Sequence, residues 1–96
     1  MTVRAKFKVN KIERTEHMRQ DGTNEKGLPR YVSGEMQTIV MAPVYGGGDP
    51  DHENTKFWNA TPSGEIRLGT VNADAGNQFE LGKEYYVTFE AADTPE

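Results

Sequence analysis

The sequence has no cysteine, one tryptophan and two histidines. Without cysteine there is no disulfide, no zinc–thiolate site and no thiol nucleophile. His17 and His52 are the only side chains that titrate near neutrality, and neither has a Ser, Cys or paired acid at catalytic spacing. No apolar run approaches the length of a membrane span. The start, MTVRAKFKVNK, alternates charge with apolar residues and has no apolar centre, so it does not read as a secretion signal. The expectation is an intracellular protein, or one that leaves the cell inside a larger assembly, with no membrane partner. On that reading Asn59-Ala60-Thr61 matches the sugar-acceptor triplet by chance, and Pro62 directly behind it makes it a poorer acceptor.

What is present is a polar chain with aromatic anchors. Its 96 residues are 34% hydrophobic, with a mean hydropathy of -0.80. Four Phe, four Tyr and the single Trp argue against disorder. The chain therefore reads as one domain over 1–96 with a modest core. Charge is uneven: residues 1–14 hold five cations against Glu13 alone, on a chain of net charge -4. A basic first element on an acidic body suits an acidic partner better than a long duplex.

Read in order, Val3, Ala5, Phe7 and Val9 alternate with Arg4, Lys6, Lys8 and Asn10, which predicts a strand with one wet face. Ile12 falls on the charged register, so a bulge near Asn10-Lys11 is needed to return it to the core. Residues 15–34 have no period and carry three glycines and a proline. They read as a mobile loop, or as a hairpin with a frayed tip, with His17, Met18 and Arg19 as a contact patch. The run 35–45, EMQTIVMAPVY, reads as a central strand that leaves its ladder at Pro43. Its Ile39 and Met41 need cover from another layer or another subunit.

Gly46-Gly47-Gly48 lacks the Lys-Ser or Lys-Thr of a phosphate loop, and Asp49, Asp51, His52 and Glu53 lack calcium-loop spacing. No metal or cofactor is expected. Asp49 or Asp51 instead reads as the cap of a short helix from Asp51 to Ala60. Adjacent Phe57 and Trp58 cannot both face inward from it, and Trp58 is the ring expected outside. Ile66 and Leu68 mark a third strand. Asn72 caps one or two helical turns ending near Phe79, and Tyr85, Val87 and Phe89 mark a last strand. The tail at 91–96 is expected to fray. The fold class is mainly β with short helices. It is a small curved antiparallel sheet or partly open OB-like barrel of about four to five strands, the fifth around Arg30 to Val32.

The segment 53–89 carries Phe57-Trp58, Ala60-Thr61-Pro62-Ser63-Gly64, Phe79 and Gly82-Lys83-Glu84-Tyr85-Tyr86. On these residues it resembles a group of short tailed-bacteriophage proteins. The resemblance implies a phage setting, the virion or the host cytoplasm, and supplies no catalytic residue. The reading that follows is a non-enzymatic virion accessory protein, a capsid decoration or stabilising protein. It would bind a phage structural protein or itself, as an oligomer, through strand addition or an aromatic anchor. Trp58, Tyr86, Ile39, Met41, Arg4, Lys6 and Lys8 are the expected partner-binding residues. A single-stranded nucleic-acid or nucleotide-binding protein using Arg4, Lys6 and Lys8 with Trp58 or Tyr86 is the alternative. A third reading is an inhibitor of a host defence system that presents its acidic surface.

Overall fold

The computed structural model describes residues 2–93. Four strands, β1 (Thr2–Thr23), β2 (Pro29–Pro43), β3 (Ile66–Thr70) and β4 (Glu84–Glu90), form one antiparallel sheet. Two short helices, α1 (Glu53–Trp58) and α2 (Ala73–Gly76), lie between β2 and β3 and between β3 and β4. The strand order is β3-β2-β1-β4, so the sheet is open and β3 and β4 are its edges. The closed end of the barrel alternative does not form. Arg30 to Val32 belongs to β2 and adds no fifth strand.

Alternation in the first ten residues does what its period requires. Register sets Ala5 opposite Val87, Phe7 opposite Tyr85 and Val9 opposite Met41. Ala5, Phe7, Val9, Ile39 and Met41 form the buried cluster, with Ile12, Ile66, Tyr85 and Val87 packed around it. Ala5 apart, burying side chains of this size stabilises by about 1.5–3 kcal/mol each. The β1–β2 register shifts between Val9 and Lys11, and past that bulge Ile12 pairs with Ile39 on the core side. The bulged backbone is held from the other side, where Val9 N–H donates to Lys83 C=O and Gly82 N–H donates to Val9 C=O.

Of the two alternatives for residues 15–34, the hairpin forms and the loop does not. These residues are the arms of a two-stranded ribbon, paired from Thr15↔Met36 to Gln20↔Tyr31 and closing at Thr23↔Pro29. The Asn24 side chain gathers the tip by accepting from Lys26 and Leu28 N–H, and Gly27 takes a positive φ of 78°. The segment shows no period because neither face of this ribbon is buried against a second layer, so nothing selects apolar residues at alternate positions. The ribbon makes the molecule long, at 64 × 39 × 19 Å.

Pro43 ends β2, as a residue without an N–H should. Val44 N–H makes one more bond, to Lys6 C=O, and α1 then takes the place of β2 beside β1. Asn54, wholly buried, completes the ladder with its side chain. Its Oδ1 accepts from Lys6 N–H at 2.6 Å, and its Nδ2 donates to Lys6 C=O at 2.8 Å and Val44 C=O at 2.6 Å. The helix cap differs from expectation. Neither Asp49 nor Asp51 caps α1; His52 does, its Nδ1 accepting from Asn54 N–H at 3.0 Å. Asp49 instead accepts from Asp51 N–H in the preceding turn. At the far end Asn59, in the left-handed region, donates its N–H to Thr55 C=O.

The order of the two adjacent rings is also the reverse of expectation. Trp58 packs on the core, its ring 6.1 Å from that of Phe7, and its Nε1 donates to Ser63 C=O. Phe57 is the exposed one, at 45%. The second helix follows the sequence: Asn72 caps it and Phe79 folds back onto the core, 5.2 Å from the Tyr85 ring. Buried Gln37 donates to Asn77 Oδ1 beneath this turn, and Gly76 lies so close that any side chain there would press on the Gln37 amide. Of the tail at 91–96, residues 94–96 lie outside the described residues.

Replacing Asn54 strands the Lys6 N–H away from water. Asn54→Ala is expected to lower stability by about 2–3 kcal/mol, read as a lower midpoint in urea denaturation. Asn54→Asp, which keeps the acceptor and loses both donated bonds, should recover only part of it.

Candidate protein-binding surface

The two faces of the sheet differ in kind. On the face away from the core, β1 and β4 set Arg4 opposite Thr88, Lys6 opposite Tyr86 and Lys8 opposite Glu84. Strand alternation puts all three cations on one side, and cross-strand pairing brings Tyr86 among them. The Arg4 guanidinium lies 4.3 Å from the centre of the Tyr86 ring and the Lys6 ammonium 5.3 Å. Contacts of this type at an exposed ring contribute about 0.5–1 kcal/mol. They hold the ring flat while leaving Tyr86 55% exposed.

Two carboxylates close on the same group. Lys6 Nζ lies 3.7 Å from Glu53 Oε1 and 3.8 Å from Glu84 Oε1. Glu53 comes from the first turn of α1, so the Asn54 anchor also sets this charge. Its carboxyl is held below the ordinary value of 4.5, first by hydrogen bonding to its own backbone N–H, then by the charges of His52, Lys6 and Arg4, against an opposing effect of burial. Oε1 is shielded from water and, among the described residues, has no hydrogen-bond donor, only the ammonium. A shallow hollow of about 230 Å³ runs from this cluster past Val3 and Lys56 to the exposed Phe57.

The opposite face carries an open apolar cleft of about 580 Å³ between the two edge strands, lined by Met41, Ile66, Leu68, Phe79, Tyr85 and Phe89. Leu68 and Phe89 are 44% and 48% exposed there.

Of the expected partner-binding residues, the fold thus brings Arg4, Lys6, Lys8 and Tyr86 together on one exposed face. It removes three others. Ile39 is wholly buried, and Met41 is buried in the floor of the cleft. Trp58 is half-buried against Phe7. Within the chain, cover for all three comes from Ile66, Phe7 and the Phe79 turn. Glu53, Glu84 and Phe57 join the surface instead. Phe57 was legible as half of an aromatic pair; the two glutamates carry no signal in a chain this acidic.

His17 lies in the ribbon opposite Gly34, and His52 is occupied as a helix cap. Among the described residues no group of three or more His, Cys, Asp or Glu is placed to hold a metal, and no helix is long and apolar enough to cross a membrane.

A folded-state pKa below the ordinary value means that Glu53 stabilises the fold above about pH 4.5, and that this part is lost as pH falls through the lowered value. Urea midpoints measured from neutral to acid pH should therefore drop more steeply for the native chain than for Glu53→Gln. Parallel profiles would show that the carboxylate is not coupled to folding.

Comparison with family models, with curated protein sequences and with solved structures returns no match to this chain, which leaves its own surfaces as the ground for a functional reading.

Proposed function

We propose that this chain is a non-enzymatic protein-binding module that acts as an accessory of a bacteriophage particle, decorating or stabilising its shell. The observation that supports binding is the free outer edge of β4. Strand order ends at β4, so among the described residues one row of its backbone N–H and C=O groups has no sheet partner. Which row follows from β1: the N–H and C=O of Lys6 point towards Asn54 and Val44. Its neighbours Ala5 and Phe7 therefore bond to β4 at Val87 and Tyr85, which leaves the backbone of Tyr86 and Thr88 pointing outward. Edges of this kind are templates for strand addition. Here the edge is flanked by a held aromatic ring, Tyr86, on one face and by Phe89 on the other.

The electrostatics favour a protein over a nucleic acid at this edge. Lys6 is met by two carboxylates, so little net positive charge is left to attract phosphates. Arg4 covers the Tyr86 ring on which a base would stack. The phage setting rests on the resemblance over 53–89, and the virion is the place in which a small, many-copy binding module of that origin is expected.

Mass spectrometry of purified particles from the phage that carries the chain should find it as a component; particles without it would overturn the virion reading. Thr88→Pro removes one outward N–H and none of the β1 ladder bonds, as edge strands tolerate. It should keep the thermal midpoint within a few degrees and reduce occupancy on particles at least about tenfold. Unchanged occupancy would mean that the β4 edge is not the binding element.

A further inference from the structure

The ribbon beyond the sheet is the least explained part of the molecule. Residues 15–23 of β1 and 29–36 of β2 are flanked by neither β3 nor β4. At about 3.3 Å per residue this arm is about 30 Å long, close to half of the 64 Å long axis. A two-stranded ribbon with both faces in water is marginal on its own. This one nevertheless carries exposed apolar side chains: Met18 at 52%, Leu28 at 56% and Tyr31 at 57%.

Register places two of them. Past the bulge Ile12 faces the core, and Arg14, Glu16, Met18 and Gln20 follow on the same parity, with Tyr31 opposite Gln20. At the root of the ribbon that parity is the cleft side of the sheet, and Met18 and Tyr31 share it. The arm points away from its own cleft, but a second copy's cleft is available to it. A two-fold axis in the plane between two facing sheets, crossing near the root of the ribbon, lays each arm over the other body. Arm and body are each about half the molecule, so the overlap runs end to end.

We propose that the chain self-associates as a two-fold dimer in which each ribbon arm covers the apolar cleft of the other copy, with Met18 and Tyr31 against Leu68 and Phe89. The area favours exchange in both directions. A face of two strands about 30 Å long and about 10 Å wide covers about 300 Å². One arm on one body buries about 600 Å² in total, below what a specific interface needs, whereas reciprocal exchange buries about 1,200 Å², within the standard range. The exchange also closes, so it stops at two copies and builds no filament. It goes beyond the edge-binding reading: the second face of the sheet and the arm are used, and the outer edge of β4 stays free for a different protein.

Absence of native cysteine makes the test direct. Met18→Cys and Leu68→Cys chains, each prepared alone and then mixed under mild oxidation, should give a disulfide-linked pair in the mixture and little in either alone. The exchange keeps the two Met18 positions about 20 Å apart across the axis, too far for a disulfide. Sedimentation equilibrium of the native chain should give a dimer, and Met18→Glu with Tyr31→Glu should weaken it by about tenfold or more with unchanged β content. A native chain that stays monomeric at high micromolar concentration would overturn the proposal. So would cross-linking that is strongest between two Met18→Cys copies, which would mean arm against arm. Particle occupancy of Thr88→Pro and dimer formation by Met18→Glu with Tyr31→Glu are separate readouts, so failure at the β4 edge and failure of the exchange are told apart.

Discussion

The contact on which the rest of this structure depends is the one between the Asn54 side chain and the backbone of Lys6. β2 has to leave β1 at Pro43, yet β1 continues to its start with its N–H and C=O groups still requiring partners. An asparagine amide reproduces the donor and acceptor of a peptide unit. Asn54 uses that likeness to let a helix replace a strand at the flank of β1. The substitution fixes α1 in position and in rotation. From that rotation follow the burial of Trp58 against Phe7, the exposure of Phe57 and the approach of Glu53 to Lys6.

The resulting sheet keeps its two faces chemically apart. One is apolar and is sealed at its ends by Trp58 and Phe79, with a cleft left between the edge strands. The other is polar, and its cations are interleaved with carboxylates and lie over an aromatic ring. Lys6 shows why a stripe of cations in a sequence is a poor guide to a phosphate-binding face. The fold supplies its counter-charges from Glu53, on a helix far along the chain, and from Glu84, on the neighbouring strand. What remains outward is a held tyrosine beside a strand edge with no sheet partner among the described residues, the edge at which we propose a polypeptide binds.

Much of this was legible residue by residue. Alternation from Val3 to Val9 gave the first strand and its buried side. The parity break at Ile12 required a bulge, and the register shift after Val9 supplies it. Pro43 marked the end of its ladder and Asn72 the start of its helix. For the ribbon the sequence left a hairpin and a loop as alternatives, because a hydrophobic period records a buried face and this segment has none within the chain. Ile39 and Met41 were identified as apolar on a second side, but whether their cover comes from β3 or from another molecule is not written in those residues.

By itself, then, the sequence determined what a few neighbouring residues decide: the alternation of the first strand, its bulge, the Asn72 cap, and the absence of thiol chemistry. These follow from local backbone geometry and from side-chain chemistry that acts over one or two turns of chain. Tertiary structure alone decided that Asn54 serves Lys6 from 48 positions away, that Trp58 is inside and Phe57 outside, and that Arg4 and Lys6 meet Tyr86 across the β1–β4 pairing. Such partners are chosen by the placement of whole elements in space. A short-range pattern has no term for that placement.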